Sequence, residues 1–481
     1  MKGIEFGIDG WMAVIADKFT FDNVRLAAQG IAEYLKERVE EEIKIAVGYD
    51  TRFLSDNFAE AVSEVLAAND IRVNHYYTAC PSPLISYLVK SDQLSGGVVV
   101  TGSHKPPRFN GIKFKASYGG PASTDMARRI GEKIAVLGDK DIKRTPIVEA
   151  IESGKVVIEN GDKEYLNHLL SLVNTDAIKS FAPAIVADPM HGAGIGYLSD
   201  LLNRAGCMVY NIREDLNPIF AGVNPEPIAR NLEELSQEMK KSEAAAGFAV
   251  DGDADHLGVM NSWGGYISPQ QVFPLLLLHL IRNKNWNGIV VKTAAVTSMI
   301  DKIANMLNLR VRETPAGFQN IAALMLEEDF LIGGEESGGY SFKNHIPERD
   351  GLLSALMLTE MMAMEHRTIA ELLNSLYDEF GALYYYERSL HVQTRDTLID
   401  DLKARAPGVI AGVKVSDIRM EDGIKYIMRN GNWLLIRASA TEPIVKVYAE
   451  AGDITEAQEL LDAGGEMIGA EATIEPIALE I

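Results

Sequence analysis

The sequence predicts an α/β chain: three mixed α/β units of similar topology, followed by a smaller α+β unit. Three observations carry this expectation. Short β-branched runs alternate with amphipathic stretches from Ile43 to Phe380, the pattern of a parallel sheet with crossover helices. Three of the strand-like runs end in polar, glycine-bearing loops: Val98–Val100 in Thr101-Gly102-Ser103-His104-Lys105, Ala245–Val250 in Asp251-Gly252-Asp253-Ala254-Asp255, and Phe330–Ile332 in Gly333-Gly334-Glu335-Glu336-Ser337-Gly338-Gly339. From Tyr384 onward the pattern turns strand-rich, with a hairpin signal at Asn430-Gly431.

The elements follow in order. Val24 to Leu35 carries apolar residues at helical spacing, Ile43–Val47 reads as a strand, Phe58–Ala68 as a helix and Ile71–Tyr76 as a strand. Pro81-Ser82-Pro83 opens a short helix that leads to the Val98 strand. The pattern then restarts with a helix at Tyr165–Val173, a strand at Ala184–Asp188 and a helix at Tyr197–Ala205. Between the last two, Gly192, Gly194 and Gly196 form a GxGxG turn. Its spacing suits a tight structural turn better than a phosphate cradle. A third unit holds strands at Gly288–Lys292 and Arg310–Glu313 around a helix at Ser298–Leu307. The division expected is 1–150, 151–257, 258–380 and 381–481.

Composition bounds what such a chain can do. Its 481 residues are 47% hydrophobic and 24% charged, ordinary for a globular protein of several domains. A net charge of −22 excludes a broad cationic face for nucleic acid but permits a small cationic pocket. Cys80 and Cys207 form neither a disulfide framework nor a thiolate zinc motif, which fits a reducing cytoplasm. The N-terminus MKGIEFGIDG has no apolar signal core. The longest apolar run, Val272–Ile281, contains Pro274 and His279 and is about half the length of a bilayer span. It reads as a core helix, and no membrane partner is expected.

The chemistry lies in the polar loops. Ser103 is a hydroxyl at a strand end, beside an imidazole and an ammonium, which is a way to expose a nucleophile under positive charge. In an extended segment Asp251, Asp253 and Asp255 point the same way, three carboxylates suited to a hard cation. Glu335, Glu336 and Ser337 offer acceptors in a glycine setting suited to sugar hydroxyls. Near the C-terminus Arg437, Ser439 and Thr441 converge in one turn, RASATEP, suited to a phosphate.

In this order TGSHKP, DGDADH, GGEESGG and RASATEP resemble the α-D-phosphohexomutases, the phosphoglucomutases and phosphomannomutases. FGIDGW, GYDTR and ETPAGF resemble that family too, so the likeness covers essentially the whole chain. It implies four domains around a central cleft and the interconversion of hexose 1-phosphate and hexose 6-phosphate through a 1,6-bisphosphate. By the same resemblance Ser103 is the phosphoserine, and it holds one Mg²⁺ together with Asp251, Asp253 and Asp255. His104 and Lys113 stand near the transferring phosphoryl, Glu335 and Ser337 read sugar hydroxyls, and Arg437, Ser439 and Thr441 hold the other phosphate. Glucose 1,6-bisphosphate or a similar compound is the implied activator, and a phosphorylated hexose the partner of a monomer or homodimer.

Several motif positions depart from the family. Met12, His256 and Gln319 stand where arginine, arginine and lysine are usual, which predicts a thinner cationic shell and weakened turnover. Gly102 replaces alanine before the serine and predicts a looser loop; Ala440 replaces a glycine. Two other readings stay open: a phosphosugar-binding paralogue with weak or no turnover, and a phosphoglucosamine mutase. GEESG resembles the glucose and mannose branch more than the glucosamine branch, where GEQSG is common.

Overall fold

The computed structural model describes residues 3–39, 41–392, 395–438, 444–469 and 474–475. The three α/β units share one four-stranded pattern. In the first, Gly96–Val100 runs parallel to Lys44–Tyr49, which runs parallel to Arg72–Tyr76, and Phe109–Ala116 returns antiparallel beside Gly96–Val100. In the second, Ala246–Val250, Ala184–Asp188 and Met208–Asn211 take the same places, with Leu257–Asn261 antiparallel. In the third they are Phe330–Gly334, Ile289–Thr293 and Val311–Thr314, with Tyr340–Phe342 antiparallel. The loop that reverses the chain between the third and fourth strands is therefore equivalent in all three, and it carries Ser103, the aspartates and Glu335 in turn.

The third strand of each unit, GGVVV, AGFAV or FLIGG, is buried along its whole length. A strand covered on both faces is written as a continuous apolar run, and such runs are visible in sequence. The antiparallel strands are less visible. Phe109–Ala116 contains Lys113 and Lys115, both buried, because Asp253 and Glu348 pair with them at 2.7 and 2.5 Å. Val156–Glu159 pairs with Arg72–Tyr76, and Leu257–Asn261 with Ala246–Val250. Tyr266–Ile267 adds to the second sheet, so the first two sheets run on to 159 and 267, past 150 and 257.

Pro269–Arg282 is the expected core helix, opened by a capping box between Ser268 and Gln271. His279 within it is buried against Glu360 at 2.8 Å. Among the described residues no helix is long and apolar enough to cross a membrane. Both cysteines are buried and free.

The C-terminal unit is an antiparallel sheet that includes Tyr384–His391, Val413–Arg419, Ile424–Met428, Trp433–Ala438 and Ile444–Ala451, packed on the helix Ile454–Ile468. The Asn430-Gly431 turn joins two of its strands in the register Ile427 to Trp433. Glu450 fixes this sheet to the third unit, since its Oε1 accepts from Ser298 Oγ at 2.5 Å and from Trp433 Nε1 at 2.7 Å. Lys425 and Arg419 add ion pairs to Glu313 at 3.0 and 3.2 Å.

Candidate active site

The serine loop is built from beneath. Asp50 accepts from Thr101 Oγ1 and Ser55 Oγ, both at 2.7 Å, and pairs with Arg52 at 3.1 Å. The Arg52 guanidinium donates to the carbonyls of Ser103 and Lys105 at 2.6 Å, Pro106 at 2.8 Å and Phe109 at 3.0 Å. One buried fork thus satisfies four main-chain acceptors in a loop with no regular structure of its own. Ser103 takes a left-handed backbone, φ +48°, which costs an L-residue about 1–2 kcal/mol. The clasp and the Thr101 Oγ1 that accepts from Ser103 N at 2.8 Å hold it there.

Gly102 does not loosen this loop. A Cβ there would lie 2.7 Å from Arg52 Nε and 3.0 Å from the Phe109 carbonyl. The missing side chain makes room for the clasp, and the expected flexibility is replaced by four hydrogen bonds.

The aspartate loop abuts the serine loop. A Cβ on Gly252 would come within 2.4 Å of the Ser103 carbonyl, so only glycine permits the approach. Ser103 Oγ lies 3.2 Å from Asp251 Oδ2. Asp251, Asp253 and Asp255 are fully buried, with one oxygen from each inside a 4.8 Å span. Asp253 Oδ1 has no donor among the described residues. Three convergent carboxylates with an orphaned buried oxygen fit a divalent cation. The GxGxG turn packs against this loop: Ala193 N donates to the Gly252 carbonyl at 2.9 Å, and a Cβ on Gly192 would meet Gly252 Cα at 2.9 Å. It is a structural turn.

Burial and the neighbouring aspartates push the Asp251 carboxyl up to about 6. Burial and Asp255 press Asp253 the same way, but the Lys113 ammonium, 2.7 Å away, and the Ser82 hydroxyl, 2.6 Å away, hold it below its ordinary value. Asp255 sits well below the carboxylate range despite its burial, because Arg349, Lys113 and His256 surround it. Burial opposes the charge on Lys113, yet Asp253 and Asp255 raise its affinity for the proton. His104 is driven the other way, down to about 3, by burial and by the positive charge on His256. It is a neutral imidazole next to Ser103.

The cationic shell is fuller than the substitutions predict. His256 Nδ1 lies 2.5 Å from Asp255 and 3.3 Å from Asp251, and Nε2 lies 3.1 Å from Ser337 Oγ. Burial disfavours its charge, but the two carboxylates raise its pKa to about 10. Arg349 adds a cation that the motifs did not reveal. It donates to Asp255 Oδ2 at 2.8 Å and to Glu335 Oε2 at 2.9 Å. Met12 pairs with Gly111 on the edge strand, and Gln319 lies in the first turn of Phe318–Glu327. Neither supplies charge.

Glu335 and Glu336 face different arginines. Burial raises the Glu335 carboxyl against the pull of Arg349. Glu336 accepts from Thr293 Oγ1 at 2.7 Å and from Arg437 at 3.3 Å, which brings the C-terminal arginine to the Glu335–Ser337 loop. Arg437 also lies 3.5 Å from Asp422, and its Nε has no partner among the described residues. Ser103, His104, Lys113, the three aspartates, Glu335, Ser337 and Arg437 therefore share one linked site. Ser439 and Thr441, with Ala440, lie outside the described residues.

Comparison with known proteins shows the family and the fold. Models of the phosphoglucomutase/phosphomannomutase α/β/α domains I, II and III match residues 3–140, 163–264 and 268–380, and the model of the C-terminal domain matches 395–463. A phosphoglucomutase/phosphomannomutase of Thermococcus kodakarensis is 30% identical over 95% of this chain and 97% of its own length. A phosphoglucosamine/phosphogalactosamine mutase of Sulfurisphaera tokodaii is 28% identical over 95% and 97%. A crystal structure of a protein described as a phosphomannomutase from Thermus thermophilus superposes with a TM-score of 0.85 at 32% identity, over 98% of this chain and 100% of that one. With all four domain models matched in order and relatives aligned over nearly its full length, the chain belongs to the phosphoglucomutase/phosphomannomutase family.

Proposed function

We propose that the protein is a phosphohexomutase that interconverts hexose 1-phosphate and hexose 6-phosphate, with Ser103 as the phosphoryl carrier. The observation that carries this reading is the Ser103 hydroxyl 3.2 Å from Asp251, in a buried set of three aspartates ringed by Lys113, His256 and Arg349. Phosphoryl transfer asks chiefly for in-line positioning and neutralisation of spreading negative charge. A Mg²⁺ ion held by Asp251, Asp253 and Asp255 would draw charge from the phosphoryl oxygens.

The chain's own residues supply the rest. The Arg52 clasp aims Ser103. Lys113 and His256 lay positive charge along the transferring group. As the Ser103 Oγ–P bond breaks and the new ester forms, the proton of the sugar hydroxyl ends on the freed Ser103 Oγ, with neutral His104 beside the serine as a hydrogen-bonding partner. Glu335 and Ser337 accept from and donate to sugar hydroxyls, and Arg437, with Ser439 and Thr441, takes the phosphate that stays on the sugar. Remote binding of that phosphate orients the reacting hydroxyl. The sugar bisphosphate then turns over in the cleft and returns its other phosphate to Ser103. The sheets support a four-part division like the expected one, with the first two boundaries beyond 159 and 267.

The test is conversion of glucose 1-phosphate, mannose 1-phosphate and glucosamine 1-phosphate, primed with glucose 1,6-bisphosphate, with and without Mg²⁺. Mg²⁺-dependent turnover of the glucose or mannose ester above a Ser103→Ala control is expected. Turnover confined to the glucosamine ester would move the chain to that branch. No turnover on any ester would overturn the reading in favour of a phosphosugar-binding protein.

A further inference from the structure

Beside the three aspartates lies a second donor set, and this one contains nitrogen. One ligating atom each of His104, Asp251 and His256 lie within 4.8 Å of one another. Asp251 Oδ1 is engaged by the backbone amides of Asp255 and His256, at 2.9 and 3.0 Å. Its Oδ2 is the oxygen that faces both His256 Nδ1, at 3.3 Å, and Ser103 Oγ, at 3.2 Å. The His104 and His256 rings meet edge to face with centroids 6.0 Å apart. Asp251 is fully buried and His256 only 6% exposed, so the donors are held by the fold.

His256 makes this set possible. An arginine at that position is a fixed cation with no lone pair to offer, whereas an imidazole can ligate through either nitrogen. Hard Mg²⁺ gains little from such a ligand. First-row transition ions gain much, and they rank accordingly on mixed nitrogen and oxygen donors.

We propose that His104, Asp251 and His256 form a mixed nitrogen–oxygen site for a borderline divalent ion of the Mn²⁺, Co²⁺, Ni²⁺ and Zn²⁺ class, sharing Asp251 with the all-oxygen triad. Ligation through a His256 nitrogen replaces a contact which that nitrogen otherwise makes, Nδ1 to Asp255 at 2.5 Å or Nε2 to Ser337 at 3.1 Å. The proton that leaves His256 passes to solvent, His104 binds as the neutral imidazole, and the bound ion supplies the positive charge that His256 gives up. An ion there lies next to the Ser103 hydroxyl. The inference rests on the aspartate loop being a metal site, and its test does not depend on turnover.

The experiment loads the purified full-length protein with Mn²⁺ and records electron spin echo envelope modulation, alongside Mn²⁺ and Mg²⁺ affinities by calorimetry. Nitrogen modulation is expected in the unmodified protein, weakened in His104→Gln and in His256→Arg and absent when both are changed. Mn²⁺ affinity should fall about tenfold or more in His256→Arg, with Mg²⁺ affinity nearly unchanged. If the arginine variant does not fold by circular dichroism, His104→Gln carries the same readouts. Oxygen-only ligation in the unmodified protein would overturn the site, as would nitrogen modulation that survives both substitutions. A parallel loss of Mg²⁺ affinity would overturn it too, by making His256 a support of the triad. Nitrogen-ligated Mn²⁺ on a protein without mutase turnover would leave this site standing and remove the function proposed above. Nitrogen-free Mn²⁺ with full turnover would do the reverse.

Discussion

Arg52 Nη2 donates to the carbonyl oxygen of Ser103 at 2.6 Å. A side chain from the end of one strand thus sets the backbone of the residue that carries the chemistry, 51 positions later. The same guanidinium holds three further carbonyls of that loop and the Asp50 carboxylate. Lysine keeps the charge but cannot reproduce the fork. Arg52→Lys should therefore fold and lose about 10²-fold in turnover through misplacement of Ser103. Arg52→Ala, which strands a buried Asp50, should cost about 3–5 kcal/mol of stability. Thermal unfolding with steady-state rates on both variants checks this, and an Arg52→Lys protein with full activity would refute it.

Gly102 makes room for the same contact. Restoring the alanine usual in related proteins would place a Cβ 2.8 Å from Arg52 Cζ. Overpacking of this kind costs about 1–3 kcal/mol. Gly102→Ala should lower the unfolding midpoint and the rate together; a more active or more stable variant would contradict the clasp.

In the proposed reaction Glu335 acts as a carboxylate, which pairs with Arg349 at 2.9 Å and accepts more strongly from a sugar hydroxyl than the neutral acid does. Burial already raises its carboxyl, and Arg349 opposes that rise. As pH falls through the elevated pKa the charged acceptor and its pair with Arg349 are lost, so Glu335 is expected on the acid limb of the pH–rate profile. Arg349→Gln removes the opposing charge, and the acid limb should move to higher pH while kcat/KM drops about 10²-fold or more. An acid limb that stays in place would separate Glu335 from the essential ionisation.

His75 gives a stability prediction far from the cleft. It is 5% exposed, its Nδ1 lies 2.9 Å from Ser63 Oγ, and burial lowers its pKa from 6.5 to about 4. Between those values the unfolded chain binds a proton that the folded chain refuses. Stability therefore falls as pH drops from about 6.5 to about 4, by about 3 kcal/mol from this group. His75→Gln should be less stable at pH 8 yet decline less steeply across that window, as denaturant midpoints would show. An equally steep decline would rule out the assignment.

What can be read from the sequence follows a physical rule. Strands buried on both faces are uninterrupted apolar runs, so Val98–Val100, Phe248–Val250 and Phe330–Ile332, with the loops they feed, are legible. Phe109–Ala116 does not read as a strand, because its lysines look solvent-facing until Asp253 and Glu348 are brought to them from other units. Arg349 escapes for a similar reason. It belongs to Glu348-Arg349-Asp350, a charged run just ahead of the apolar helix Gly351–Glu365. A charged triplet entering a buried helix is the available signal. Gly102 misleads because the atom that fills its space belongs to Arg52, which no local pattern connects to it.

The central claim is that Ser103 carries the phosphoryl group between substrates. The most direct measurement is peptide mass spectrometry of the protein after incubation with glucose 1,6-bisphosphate, before and after addition of excess hexose 6-phosphate. Phosphate is expected on the peptide containing Ser103 and is discharged by the monophosphate. Phosphate on a different residue, or none, would contradict the central claim, as would a Ser103 phosphate that the sugar cannot remove.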